Sequence, residues 1–253
     1  MKLHIGIVCV FFFVSTGLAS ADEKQAPRKG DPRAAALLQQ AAKTRYTWSP
    51  EISAVSGKFT WEKDGSSGAG TFRSVLHKRD GLTITADGNA EIPDEVKDHI
   101  GSTIMHRVPP APGAPERPQP ASVIVVEDES RGPLILLLGD SMNSSQRVKD
   151  GMLVQVNRVM GGKRFTIDVT KFEKSPDGTR VYPSDFAVTW WDAANGTKLE
   201  KQKYTTQGFH LLDNQMFPKA ERVVSEKGDN KTTLDIHYSD IKFETLQPKG
   251  AGN

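Results

Sequence analysis

The chain has 253 residues, 37% hydrophobic and 25% charged, which is enough apolar material for a core of ordinary size without covalent or metal staples. Its 33 basic and 31 acidic residues leave a net charge of only +2 with no run of five like charges, which argues against nucleic acid or an anionic membrane surface as partner. The single cysteine, Cys9, falls in the N-terminal apolar run, so disulfides and thiol chemistry are excluded from everything beyond it.

Lys2, the apolar run Ile5 to Val14 and the small residues Ala19-Ser20-Ala21 give residues 1–21 the layout of a signal peptide. The run is well short of the ~20 residues that a membrane span needs. Export to the periplasm or the exterior is therefore expected, with no span left after cleavage. Residues 22–30 are polar and mixed in charge and read as a disordered leader, 31–246 as a single β-rich domain, and 247–253 as a flexible tail.

Asp31 before Pro32 reads as an N-cap followed by a first-turn proline, and Ala34, Leu37, Leu38, Ala41 and Ala42 follow helical spacing. From Val55 the period changes to two, with Val55, Gly57, Phe59 and Trp61 on one face. Turn clusters at Asp64-Gly65-Ser66 and Arg79-Asp80-Gly81 separate this run from strands carrying Phe72, Ser74 and Leu76, then Leu82 and Ile84. Val96, Ile100 and Ile104 predict a second helix starting at Pro93. Between Pro109 and Pro120 six of twelve residues are proline, so this segment cannot join a hydrogen-bonded ladder and reads as a surface loop able to dock a protein partner.

The remainder predicts a meander. Val123 to Val126 and Leu134 to Leu138 are strands, an alternating run continues to Val159, and Gly161-Gly162 turns it into Phe165 to Val169. Phe186 to Trp191 and Lys198 to Thr205 pair about Asn195-Gly196, Phe217-Pro218 interrupts, and Ala220 to Ser225 returns as Leu234 to Phe243. The fold class is mainly β with two short helices: a strongly curved antiparallel meander, an open or half barrel of about ten to eleven strands with the N-terminal helix packed on it. Gln155 to Ile167 is expected to be the central hairpin on which both helices and the C-terminal strands are placed.

Arg45-Tyr46-Thr47-Trp48, then Gln155-Val156-Asn157-Arg158-Val159-Met160-Gly161 and Arg164-Phe165-Thr166-Ile167, resemble the uncharacterised domain-of-unknown-function family 3386 over roughly Arg33 to Phe243. That resemblance implies a shared fold and supplies no activity. The proline-rich segment departs from it. A looser architectural similarity, one N-terminal helix before a long meander and a closing hairpin, is to the half-barrel carriers of lipoproteins and lipids in cell envelopes.

Gly139-Asp140-Ser141-Met142 after an apolar strand resembles the nucleophile block of GDSL esterases. The later partners of that block are absent: no Gly-x-Asn-Asp and no Asp-x-x-His occurs, and Asp235-Ile236-His237 has the wrong spacing. Asp and Ser in a hairpin connection are ordinary turn residues. His99 and His106 lie two helical turns apart, ~10 Å, too far to share a metal, and His77, His99, His106, His210 and His237 all read as surface or rim residues. Trp190 and Trp191, adjacent on a strand, must point to opposite faces. These patterns predict a non-enzymatic binding protein without cofactor or metal, holding a lipid or acylated protein through Leu136, Leu138, Val154, Phe165, Ile167, Trp190 and Trp191. A structural or protein-interaction module of the envelope is the alternative, and an esterase acting through Ser141 comes last.

Overall fold

The computed structural model describes residues 30–78, 80–88, 91–111 and 120–246. The signal-peptide reading, the leader up to residue 29, the tail at 247–253 and the middle of the proline-rich segment, 112–119, lie outside the described residues.

Helix α1 spans Pro32–Thr44. The Asp31 carboxylate accepts from the Arg33 N–H at 2.8 Å, satisfying one free N-terminal donor, and Pro32 occupies a position whose N–H would go unused. Strands β1 (Ile52–Lys63), β2 (Ser66–Val75) and β3 (Leu82–Ala86) follow as successive antiparallel hairpins. Helix α2 (Asp94–Met105) begins with Asp94 and Glu95 at the positive end of its dipole. The chain then resumes with β4 (Ser122–Val126), β5 (Leu134–Leu137), β6 (Ser145–Lys149), β7 (Met152–Met160), β8 (Lys163–Lys174), β9 (Val181–Asp192) and β10 (Lys198–Thr206). A short hairpin, β11 (Phe209–Leu212) with β12 (Gln215–Pro218), precedes β13 (Ala220–Lys227) and β14 (Asn230–Thr245).

Twelve strands form one antiparallel sheet in the order β3-β2-β1-β14-β13-β10-β9-β8-β7-β6-β5-β4, and β11 and β12 form a separate pair. The sheet is open, with β3 and β4 at its edges among the described residues. The first and last strands meet in its interior, where Phe59 pairs with Tyr238 and Trp61 with Ile236. Strands β3 and β4, separated in sequence by α2, are opposite edges of the sheet.

The count exceeds ten to eleven for two local reasons. The run ending at Val159 is two strands, divided at Asp150-Gly151, whose φ angles of 51° and 73° make a tight turn of the left-handed kind that suits right-twisted strands. The residues about Phe217-Pro218 are a hairpin of their own, turned by Asp213-Asn214 with φ 47° and 61°. The β7–β8 hairpin is off-centre in the sheet, and the two helices pack in different places.

Cross-strand partners fix which side chains share a face. Phe59, Trp61, Ile236 and Tyr238 point the same way as Val223, Tyr204 and Phe186, and through unshifted pairing the same way as Val169, Ile167 and Phe165. Both helices lie on this face. Val96, Ile100 and Ile104 of α2 join Trp48, Phe59, Trp61, Phe72, Phe217 and Tyr238 in the larger core. Ala34, Leu38 and Ala41 of α1 join Ile135 and Val148 in a smaller one. The small alanine stripe lets α1 approach the sheet closely. No helix among the described residues is long and apolar enough to cross a membrane.

Candidate functional site

Between the two cores the same face continues over β7, β8, β9 and β10. Phe165 stands opposite Trp190, Ile167 opposite Val188, and Val169 opposite Phe186, which in turn faces Tyr204. Phe165 and Trp190 have ring centroids 4.7 Å apart, and Phe186 stacks on Tyr204 at 4.5 Å. Phe165, Ile167, Phe186 and Trp190 belong to neither core, and Ile167, Phe186 and Trp190 remain half-buried. The result is an aromatic lane along the helix-bearing face.

Cations border it. Arg45, just past α1, donates from Nη2 to the His106 carbonyl just past α2 at 2.6 Å, so one side chain ties the two helix ends together. Arg107 is 1% exposed; it donates to the Tyr182 hydroxyl, lies over that ring at 4.4 Å, and stands 3.8 Å from the Glu221 carboxylate. Arg158 on β7 is the cross-strand neighbour of Phe165. Burial, then the charges of Arg107 and Arg158, hold the Arg45 guanidinium below its ordinary pKa. Burial, reinforced by Arg45 and Arg107, pushes His106 down to about 4, so its ring is neutral at pH 7. Arg45 and His106 nevertheless keep exposed surface.

Glu221 on β13 anchors α2. Its carboxylate accepts from Thr103 Oγ1 at 2.7 Å and Tyr238 Oη at 3.1 Å and stands 3.0 Å from His99 Nε2. Burial alone would raise its pKa; His99, Arg107 and Thr103 outweigh that and lower it to about 2. His99 is therefore a core residue, 4% exposed, and its reading as a rim histidine is corrected.

The sequence matches the family model described as "Protein of unknown function (DUF3386)" over residues 29–243. The chain belongs to this family. No curated protein matches it. Among solved structures, this DUF3386 chain is similar to a LolA superfamily protein from Nitrosomonas europaea, with 10% identity, 85% of this chain and 96% of that one covered, and a TM-score of 0.34. It is also similar to a putative outer membrane lipoprotein-sorting protein domain from Vibrio parahaemolyticus, at 8% identity, 85% and 93% coverage and a TM-score of 0.34. A DUF1329 family protein from Desulfovibrio piger shares 10% identity over 83% and 90% of the two chains, with a TM-score of 0.29. Likenesses this distant transfer no residue role.

Of the seven residues picked out from the DUF3386 sequence, the fold brings three together on the lane: Phe165, Ile167 and Trp190. Leu136 and Trp191 face the other side; Trp191 there lies under the Arg164 guanidinium at 5.0 Å. Leu138 is in the turn after β5, and Val154 sits at the register shift between β6 and β7. Ser141 is exposed in the connection to β6 rather than at a helix start. Its neighbour Asp140 accepts from the Ser144 N–H at 2.9 Å, as a turn residue does, while Asp235 is engaged by Arg222 at 2.7 Å and 3.1 Å on β14, six strands from β6 in the sheet. The geometry a serine nucleophile needs is not assembled around Ser141. No group of three or more metal-ligating side chains occurs among the described residues.

Proposed function

We propose that this chain is an exported, non-enzymatic binding protein that holds an apolar ligand, a lipid or an acylated protein, on the concave, helix-bearing face of a half-barrel sheet. The observation that carries the reading is the aromatic lane Phe165, Ile167, Phe186 and Trp190, which lies on the face that both helices cover yet joins neither core. Aromatic and branched side chains left half-buried between two helices are what a pre-formed apolar site offers. Export rests on residues 1–21, and reading 31–246 as one domain is supported by a sheet that draws strands from both sides of the proline-rich segment. Solvent extraction and mass spectrometry of the chain purified from its export compartment test the proposal. A stoichiometric lipid or acyl species is expected; protein that is free of any such species and takes none up from a lipid extract would refute it.

A further inference from the structure

Two guanidiniums on the helix-bearing side each hold a buried donor without a partner. Arg107 Nε and Arg158 Nε are both buried and find no hydrogen-bond partner among the described residues. Arg45, which donates to the His106 carbonyl, has its pKa lowered by burial and then by the charges of Arg107 and Arg158. Of the neighbouring carboxylates, Glu221 is the counter-charge of Arg107 at 3.8 Å and is held by Thr103, Tyr238 and His99, while Asp140 accepts from the Ser144 N–H. His106, the remaining titratable neighbour, already meets Ser102 Oγ through Nδ1 at 3.3 Å.

A buried donor without an acceptor costs stability, and an anion at Arg158 Nε removes that cost. The apolar lane begins beside that place, since Arg158 is opposite Phe165. We propose that the ligand is an anionic amphiphile: Arg158, with the charge of Arg45 in support, binds its carboxylate or phosphate head group while its hydrocarbon lies along Phe165 and Trp190. This rests on the apolar-ligand reading above and gives that ligand a charge and an orientation. Forked guanidiniums suit such oxyanions because they donate two parallel hydrogen bonds.

The test is titration calorimetry of the full mature chain with sodium oleate, with oleyl alcohol of the same chain length, and with inorganic phosphate, all below self-association, in wild type and in Arg158→Gln. Circular dichroism and melting confirm that the variant is folded, and Arg45→Gln serves as the second variant. Oleate is expected to bind the wild type roughly tenfold or more tightly than oleyl alcohol, a preference lost in the variant, as removal of a charge-assisted hydrogen bond requires. Equal binding of oleate and oleyl alcohol, unchanged by both variants, would overturn the head-group proposal and leave the apolar site standing. Phosphate binding that depends on Arg158 while oleate fails to compete would overturn it in favour of a free-anion site. Binding of neither amphiphile would overturn both readings.

Discussion

Replacing Glu221 by glutamine tests whether one buried carboxylate fastens α2 to the sheet. The group is 8% exposed as a side chain and touches His99, Thr103, Tyr238 and Arg107. In the folded chain its pKa is about 2, against an ordinary 4.5. A folded pKa below the unfolded one contributes stability that is fully present above pH ~4.5 and lost as pH falls towards ~2, which is on the order of 3 kcal/mol for this group. Glutamine keeps the shape but leaves Arg107 buried without its counter-charge, so Glu221→Gln should cost about 3 kcal/mol at neutral pH. In a chain of this size that lowers Tm by roughly 6–12 °C. Thermal melts followed by circular dichroism at several pH values supply the assay. The gap between wild type and variant should narrow as the pH is lowered from about 5 to about 3. A Tm within about 2 °C of wild type at neutral pH, or a gap independent of pH, would refute the reasoning.

Three other substitutions test the fold. A Cβ at Gly70 would lie 2.4 Å from the Thr85 carbonyl and 2.8 Å from the Phe59 ring, so Gly70→Ala should cost about 1–3 kcal/mol in denaturant melts and expose edge-strand amides of β3 to hydrogen exchange. Asp31→Ala removes the α1 cap and should cost about 1 kcal/mol, whereas Asp31→Ser should recover most of it in the same melts. Gly151→Val forces a branched side chain into a φ of 73° and against Gln40, 2.8 Å from the new Cβ; the measured loss should exceed the ~1 kcal/mol typical of an ordinary glycine substitution.

Local signals made much of this legible. Asp31-Pro32 marks a helix start because both residues solve the same unpaired-donor problem, and α1 begins there. Val55, Phe59 and Trp61 form a buried stripe because alternation with polar neighbours leaves only one way to orient β1. Asp150-Gly151 was also legible as a turn, but the continuous alternation around it hid the break. Asp213-Asn214 turns β11 into β12 without glycine, which weakens the signal to one that Phe217-Pro218 could mask. The site itself depends on pairings of distant segments. Trp190 meets Phe165 through an inter-strand register, His99 meets Glu221 across 122 residues, and Arg45, just past α1, reaches the His106 carbonyl just past α2. Nothing local in Arg45 announces that it will tie the ends of two helices together.

The central claim, that the helix-bearing face of β8 and β9 holds hydrocarbon, is tested most directly by quenching tryptophan emission with a brominated stearic acid. Trp190 and Trp191 are adjacent in sequence but occupy opposite faces of the same strand, so each is the other's control. Quenching should be saturable, should fall sharply in Trp190→Phe, and should survive in Trp191→Phe. Quenching that survives in Trp190→Phe and disappears in Trp191→Phe, or the absence of saturable quenching in the wild type, would contradict the account.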